Sequence, residues 1–333
     1  MSDIRLSLAQ EAGLFAVPAP GTTLIFRPTQ EHRLEIFPKD CAQIEQGFFP
    51  AHAHFDAAGW HVAPRVEGLF ELAVVFAQRS RAHSMALVAR ALHATRGGPV
   101  VIDGQKTDGI ETLIKSLKKA GMIVSEAVSK AHGKLVVARG EAPKDWHHDP
   151  AMRAHGFVTS PAVFSPEKID QGSVLLAQSL PMDLGGRVAD IGAGWGYLSA
   201  MLMTRKKVTE CHLIEAEFEA LECARRNVQD PRAHFHWADA RNFKPEVLLD
   251  HVVMNPPFHI SRSADPELGQ ALIRATVAQL APRGQLWMVA NRHLPYERTL
   301  AQHFADISEL AGNPAFKVLR ATRPKTTSGR SKL

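Results

Sequence analysis

The sequence predicts an α/β protein of two tandem domains, each a doubly wound and mostly parallel sheet, with the first domain a degenerate copy of the second. Three observations carry this. From Gly186 onward, short apolar segments alternate with helical patterns, as in parallel strands joined by crossover helices. An earlier run of segments repeats the order and lengths of that half, offset by about 180 residues. Between the two lies "RGEAPKDWHHDPAMRAHG", residues 139–156, a polar stretch with two prolines, two glycines and no apolar period. The boundary is placed near residue 150, giving segments 1–150 and 151–322 and a basic tail at 323–333.

The elements of the second half follow in order. "GRVADIGAG" gives a strand at about 187–191, and "YLSAMLMTR" has helical spacing. "VTECHLIEA" gives a strand near 210–215, followed by an amphipathic helix, "EFEALECARRNVQD", ended by Asp230-Pro231. "AHFHWADA" and "DHVVMN" are the third and fourth strands. "ELGQALIRATVAQLAPRG" reads as a helix, with Leu268, Leu272, Val277 and Leu280 near one face and a stop at Pro282 and Gly284. "QLWMVANR" is a fifth strand, "YERTLAQHFADISELAG" a helix and "AFKVLRAT" a closing strand.

The start of the first half is less legible. Its later part reads "LAVVFAQRS", a helix "AHSMALVARALHAT", "RGGPVVIDGQ", a helix "GIETLIKSLKKAG" and "KLVVARG". The copies differ where it matters for chemistry. "NPPF" (Asn255 to Phe258) follows the fourth strand of one, and "AQRS" (Ala77 to Ser80) follows that of the other. The first copy also lacks a glycine-rich turn after a strand.

Composition narrows the classes. The chain has 333 residues, 45% hydrophobic and 22% charged, as in soluble globular proteins. No apolar run reaches the length of a membrane span, and "MSDIRLSLAQEAG" lacks the basic-then-apolar order of a signal peptide. Cys41, Cys211 and Cys223 show no CxxC spacing, which argues against a disulfide framework or a zinc site and suits a cytoplasmic protein. The terminal "SKL" copies a peroxisomal address and is read as a chance match. His52/His54 and His147/His148 lack partners at ligand spacing, so no metal is expected. Net charge is +5 and the pI about 9.2. Six basic residues and no acids lie between Lys317 and the end, which predicts a flexible basic tail, either merely solvated or touching phosphates.

Two motifs carry chemistry. "ADIGAGWGYLS" places Asp190 at a strand end, then Gly192, Gly194 and Gly196, then a helix start. Glycines allow a sharp turn and close approach of a ligand to the backbone. The spacing is GxGxG after an acid, not the GxGxxG of a pyrophosphate site, and suits a ligand with an amino group or a sulfonium. Glu215 ends the next strand, where a carboxylate can take both ribose hydroxyls, and Asp239 follows the third strand. In the second motif, "DHVVMNPPFHIS", a strand ends on Asn255 and is fixed there by Pro256 and Pro257.

With "DIGAGWG", "LIEA", "WADA" and "NPPFH" together, residues 156–322 resemble the class I S-adenosylmethionine-dependent methyltransferases, and more narrowly the ribosomal RNA guanine-N2 methyltransferases of the RsmC type. The segments "FVTSPAVFSPEKIDQGSVLLAQSL" and "LIRATVAQLAPRGQLWMVANRHLPY" are similar to that family too. Residues 1–150 resemble it weakly, and Ala193-Gly194 stands where many relatives have Cys-Gly. The resemblance implies two Rossmann-like domains with seven-stranded sheets, the C-terminal one binding S-adenosylmethionine and acting on small-subunit ribosomal RNA, in a monomer. It implies that Asp190, Gly192, Ala193, Gly194 and Gly196 line the methionine end of the cofactor. Glu215 and Ala216 would hold the ribose, and Asp239 and Ala240 the adenine. Phe164, Asp170, Gly172 and Ser173 would close over the cofactor, and Asn255, Pro256, Pro257 and Phe258 would receive the target base. His259 is expected to be a loop contact.

An exocyclic amine is a poor nucleophile because its lone pair is delocalised. Acceptors on both amine hydrogens, the Asn255 side-chain oxygen and the Pro256 carbonyl, favour a pyramidal nitrogen, and the prolines hold them in advance. Phe258 offers a stacking face for an extruded base. Large-subunit guanine-N2, DNA adenine-N6 and protein glutamine-N5 methyltransferases remain alternatives. So do a nicotinamide oxidoreductase and a non-enzymatic RNA-binding protein.

Overall fold

A computed structural model describes residues 2–19, 21–147, 151–152, 154–256 and 266–325. The chain divides into two compact units, 1–151 with 160–162, and 152–159 with 163–333.

In the first unit, helices α1 (Ser2–Glu11), α2 (Phe49–Ala57), α3 (Arg81–Ala94) and α4 (Ile110–Lys119) accompany strands β1 (Thr23–Phe26), β2 (Ala42–Glu45), β3 (His61–Ala63), β4 (Leu72–Phe76), β5 (Val100–Gln105), β6 (Ile123–Val124), β7 (Val128–Lys130) and β8 (Gly133–Arg139). The sheet order is β3-β2-β1-β4-β5-β8-β6, with β7 also paired to β8. Strands β1 to β5 are parallel and β8 runs antiparallel to β5. Counted this way the sheet has eight strands, not the seven expected. The reason is local: β6 and β7 are two pieces of one edge, broken at Ser125. There the Ser125 hydroxyl accepts the Val137 N–H at 2.9 Å and displaces a backbone carbonyl from the ladder. An interior ion pair pins α1 to this sheet: Arg5, fully buried, donates to both oxygens of Asp103 at 2.5 and 2.8 Å. Within the stretch read as a linker lies a short strand, β9 (Ala151–Met152), which pairs with β10 (Val158–Thr159) just beyond it.

The second unit holds α5 (Gln171–Ser179), β11 (Gly186–Ile191), α6 (Tyr197–Met203), β12 (Val208–Glu215), α7 (Phe218–Asn227), β13 (Ala233–Trp237), β14 (Leu249–Met254), α8 (Pro266–Gln279), β15 (Leu280–Asn291), α9 (Tyr296–His303), β16 (Phe304–Gly312) and β17 (Phe316–Pro324). Its order, β13-β12-β11-β14-β15-β17-β16, repeats that of the first sheet. Strands β11 to β15 are parallel, and β17 is antiparallel to both neighbours.

Strand alternation sorts the apolar residues onto two faces. Ala189, Ile191, Val252 and Met254 pack with Leu272, Ile273 and Leu300 of α8 and α9. Val188, Leu213 and Val253 pack on the other face with Leu176, Leu198 and Leu221 of α5, α6 and α7. Val252, Val253 and Met254 are fully buried, each contributing roughly 1.5–3 kcal/mol of burial free energy. This three-layer arrangement leaves the carboxyl ends of β11, β12 and β14 as the natural ligand site, on either side of the point where strand order reverses.

Three expectations need correction. The segment 296–312 is not one helix: α9 ends at His303 and Phe304–Gly312 is the edge strand β16. Helix α8 ends at Gln279, ahead of Pro282 and Gly284, because Leu280 already pairs with Leu249 in the sheet. The tail does not begin at 323. Arg323 and Pro324 close β17, the Arg323 guanidinium grips Asp306 at 2.5 and 2.6 Å, and Lys325 Nζ donates to the Ala301 carbonyl at 2.7 Å. The rest of the tail lies outside the described residues, and no helix among them is long and apolar enough to cross a membrane.

Candidate active site

The glycine turn after β11 is built on backbone conformations that side chains disfavour. Gly192, Gly194 and Gly196 have φ of 71°, 56° and 90°. A Cβ on Gly192 or Gly194 would meet nothing within 4 Å, so the turn faces open space there. A Cβ on Gly196 would instead press within 3.1 Å of Ala224 and Val228 of the α7 region, which fixes how closely α6 enters. Between the glycines, Ala193 and Trp195 turn inward and are buried. The Trp195 indole donates to the Phe164 carbonyl at 3.0 Å and packs against Phe157 and Tyr197, holding the preceding segment beside the turn. The Phe164 ring itself is exposed.

Three acids stand around the turn, each in a different state. Asp190 is fully buried on the α6 face of the sheet. One oxygen accepts from the Ser199 hydroxyl at 2.7 Å, and the other has no partner among the described residues. Burial raises its carboxyl to about 7, Ser199 opposing and Glu215 adding to the shift. Glu215, at the end of β12, braces two backbones. It accepts the Gly194 N–H at 2.8 Å and the Glu217 N–H at 2.7 Å. Burial raises its carboxyl also, against those same backbone hydrogen bonds. Beside it the Ala216 carbonyl accepts from the Trp237 indole at 2.9 Å. Asp239 differs. Its burial, which raises the carboxyl, is outweighed by Arg241, which donates at 2.6 Å and leaves it lowered. The Ala240 carbonyl is taken by Gln279 at 2.9 Å. Asp239 can therefore accept from a ligand only by sharing its oxygens with Arg241.

Asn255 stands at the end of β14. Its Nδ2 donates to Asp170 at 2.9 Å and to the Ser173 hydroxyl at 2.8 Å, while its Oδ1 is buried without a partner among the described residues. Asp170 at the same time caps α5 through the Ser173 N–H at 2.9 Å. Gly172 makes room for this: a Cβ there would sit 3.0 Å from the Asp170 carboxylate and 3.2 Å from the Phe316 ring. Pro256 is buried, and Pro257, Phe258 and His259 lie outside the described residues.

Sequence reading thus named Asp170, Ser173 and Asn255 separately, and the fold joins them. It missed Ser199, Arg241, Trp195 and Phe316. Arg241 was legible in "ADAR", an acid with a guanidinium two residues on. Nothing local marks Ser199 or Phe316, which reach the site only through packing. A buried acceptor without a donor is costly, about 1–3 kcal/mol. Orphaned oxygens on Asp190 and Asn255 beside an open glycine turn fit a ligand that carries amino groups and a ribose.

The family model described as methyltransferase small domain matches residues 154–320. A protein of Pseudomonas aeruginosa strain LESB58, named ribosomal RNA small subunit methyltransferase C, is 30% identical over 95% of this chain and 98% of its own. A protein of the same name from Stutzerimonas stutzeri strain A1501 is 31% identical over 79% of this chain and 82% of its own. Among solved structures, the T. thermophilus 16S rRNA N2 methyltransferase RsmC, in complex with AdoMet and guanosine, superposes with a TM-score of 0.77 at 23% identity. It covers 96% of this chain and 92% of its own.

Proposed function

The chain belongs to the methyltransferase small-domain family, among the RsmC-type small-subunit ribosomal RNA methyltransferases, and from that premise we propose that it methylates the N2 amine of a guanine in 16S ribosomal RNA. The observation that carries the chemistry is Asn255: the end of β14 presents a buried amide oxygen that has no donor among the described residues.

The residues divide the task. Gly192 and Gly194 give the cofactor's methionine end close access to backbone, and Glu215 takes the ribose hydroxyls on lone pairs its two backbone contacts leave over. Asp239 and Ala240 flank the adenine. S-adenosylmethionine, when bound, supplies an electrophilic methyl group on a sulfonium. The Asn255 oxygen accepts one hydrogen of the target amine and the Pro256 carbonyl the other, which turns the nitrogen lone pair out of conjugation. Because the strand and the prolines fix both acceptors beforehand, little reorganisation is needed in the transition state. The methylated nitrogen is acidic and releases its proton late, so a strong base is not required. The first unit and the basic tail serve RNA contact, and the protein acts as a monomer.

Transfer of labelled methyl to purified small ribosomal subunits, followed by nucleoside analysis, tests this. The expected product is N2-methylguanine. Label in N6-methyladenine or in protein, with none in N2-methylguanine, would promote the alternatives.

A further inference from the structure

We propose that Asp170 and Ser173 are positioning residues that decide which end of the Asn255 amide faces the target amine. The inference rests on Asn255 being the amine's acceptor, and goes on to say why it accepts rather than donates. A side-chain amide has two nearly isosteric ends, one acceptor and one donor. Rotated by half a turn, Asn255 would offer N–H groups to the amine's own two N–H donors, and the site would repel its substrate. The surrounding protein removes that choice.

Asp170 is a carboxylate, and an ionised carboxylate can only accept. The end of Asn255 that lies 2.9 Å from it must be the NH2 end. The Ser173 hydroxyl takes the second N–H at 2.8 Å, so both hydrogens of that end are used. The reversed amide would set its oxygen against the carboxylate and leave two buried N–H groups unpaired. Charge-assisted hydrogen bonds of this kind are about twice as strong as neutral ones. The same Asp170 oxygen that aims Asn255 also caps α5, so the aim is tied to a helix start rather than to a mobile side chain. Gly172 completes the device, since any side chain there would crowd the carboxylate against Phe316.

Substitutions can separate capping from aiming. Serine and asparagine cap helices about as well as aspartate. Serine is too short to keep Asn255, whereas asparagine can place an oxygen where the carboxylate oxygen was. With Ser173→Ala as background, Asp170→Ser should lower single-turnover methyl transfer to small subunits by roughly tenfold or more. Asp170→Asn in the same background should restore part of that loss. The loss should persist when S-adenosylmethionine is saturating, which separates aiming from cofactor binding. Asn255→Ala serves as the reference. Full turnover in Asn255→Ala would remove the reading on which this rests. A dead Asn255→Ala alongside undiminished transfer in Asp170→Ser/Ser173→Ala would overturn the aiming role alone. A loss of transfer that saturating S-adenosylmethionine removes, or no recovery with asparagine, would overturn it too.

Discussion

Asn255 and Asp190 show how much one side chain can be made to carry. Asn255→Ala should abolish turnover while leaving S-adenosylmethionine affinity within about tenfold, because the lost acceptor serves only the developing charge on the amine. Single-turnover transfer paired with calorimetry checks this, and near-normal turnover would contradict the assigned role. Asp190 makes a prediction about pH. Its carboxyl, ordinarily at 3.8, is raised by burial to about 7. Between those values the native protein binds a proton that the unfolded chain has released, so this group's contribution to stability falls as pH rises through the window. The stability of the wild type relative to Asp190→Asn should therefore decline with pH there, by at most ~1.4 kcal/mol per pH unit. Urea titrations at several pH values measure it, and a difference that is flat or rises with pH would be evidence against it. Both residues were legible from the sequence, since each ends an apolar run beside a glycine or proline signal. Their partners were not: Ser199 reaches Asp190 across a helix turn, and Asp170 reaches Asn255 across 85 residues.

At the scale of elements, central parallel strands such as β4, β5 and β14 were readable because they carry runs of buried, mostly apolar residues. The failures fall where that pressure is absent. In β16 only Phe304 is buried among mostly exposed neighbours, and "FADISELAG" carries no alternation that could outweigh its helical composition. Pairing with β17 decides its state, and that pairing is non-local. The first unit's opening was hard to read for a related reason: β1, β2 and β3 are only three or four residues long. The glycine turn was legible and has a graded consequence. Gly196→Ala would force a residue with a side chain to φ near 90° and press its Cβ on Ala224 and Val228. A loss of about 2 kcal/mol or more of stability is expected, with weakened cofactor binding. Chemical denaturation checks the first effect and calorimetry the second. A variant as stable as its parent would show that α6 and α7 can move apart.

For the whole molecule, the duplication is visible as two sheets with the same strand order, and the first differs from the second at positions proposed to carry the site. Glu45 ends β2 just as Glu215 ends β12, yet it is occupied. Arg90 forms an ion pair with both of its oxygens, and the Val66 N–H donates to it at 2.9 Å. Where the glycine turn would follow β1 stands Arg27, at φ 58°. Titration calorimetry should give one S-adenosylmethionine per chain, and Glu215→Ala should eliminate it. A stoichiometry of two would mean that Glu45 releases Arg90 on binding. The sequence shows "AQRS" in the first copy where the second has "NPPF". It could not disclose that the acid survived and was turned to structural use, because Arg90 is 45 residues away.

On the proposed mechanism, the pair of oxygens at the end of β14 also sets a stopping rule. A primary amine fills both acceptors; once methylated it has a single hydrogen left, and one oxygen must face a methyl group. Leaving a buried acceptor unmade costs about 1–3 kcal/mol, and the methyl must also fit where a hydrogen lay. Exhaustive reaction with excess cofactor should therefore stop at the monomethylated base. Mass spectrometry that found the dimethylated nucleoside accumulating would show that one acceptor suffices.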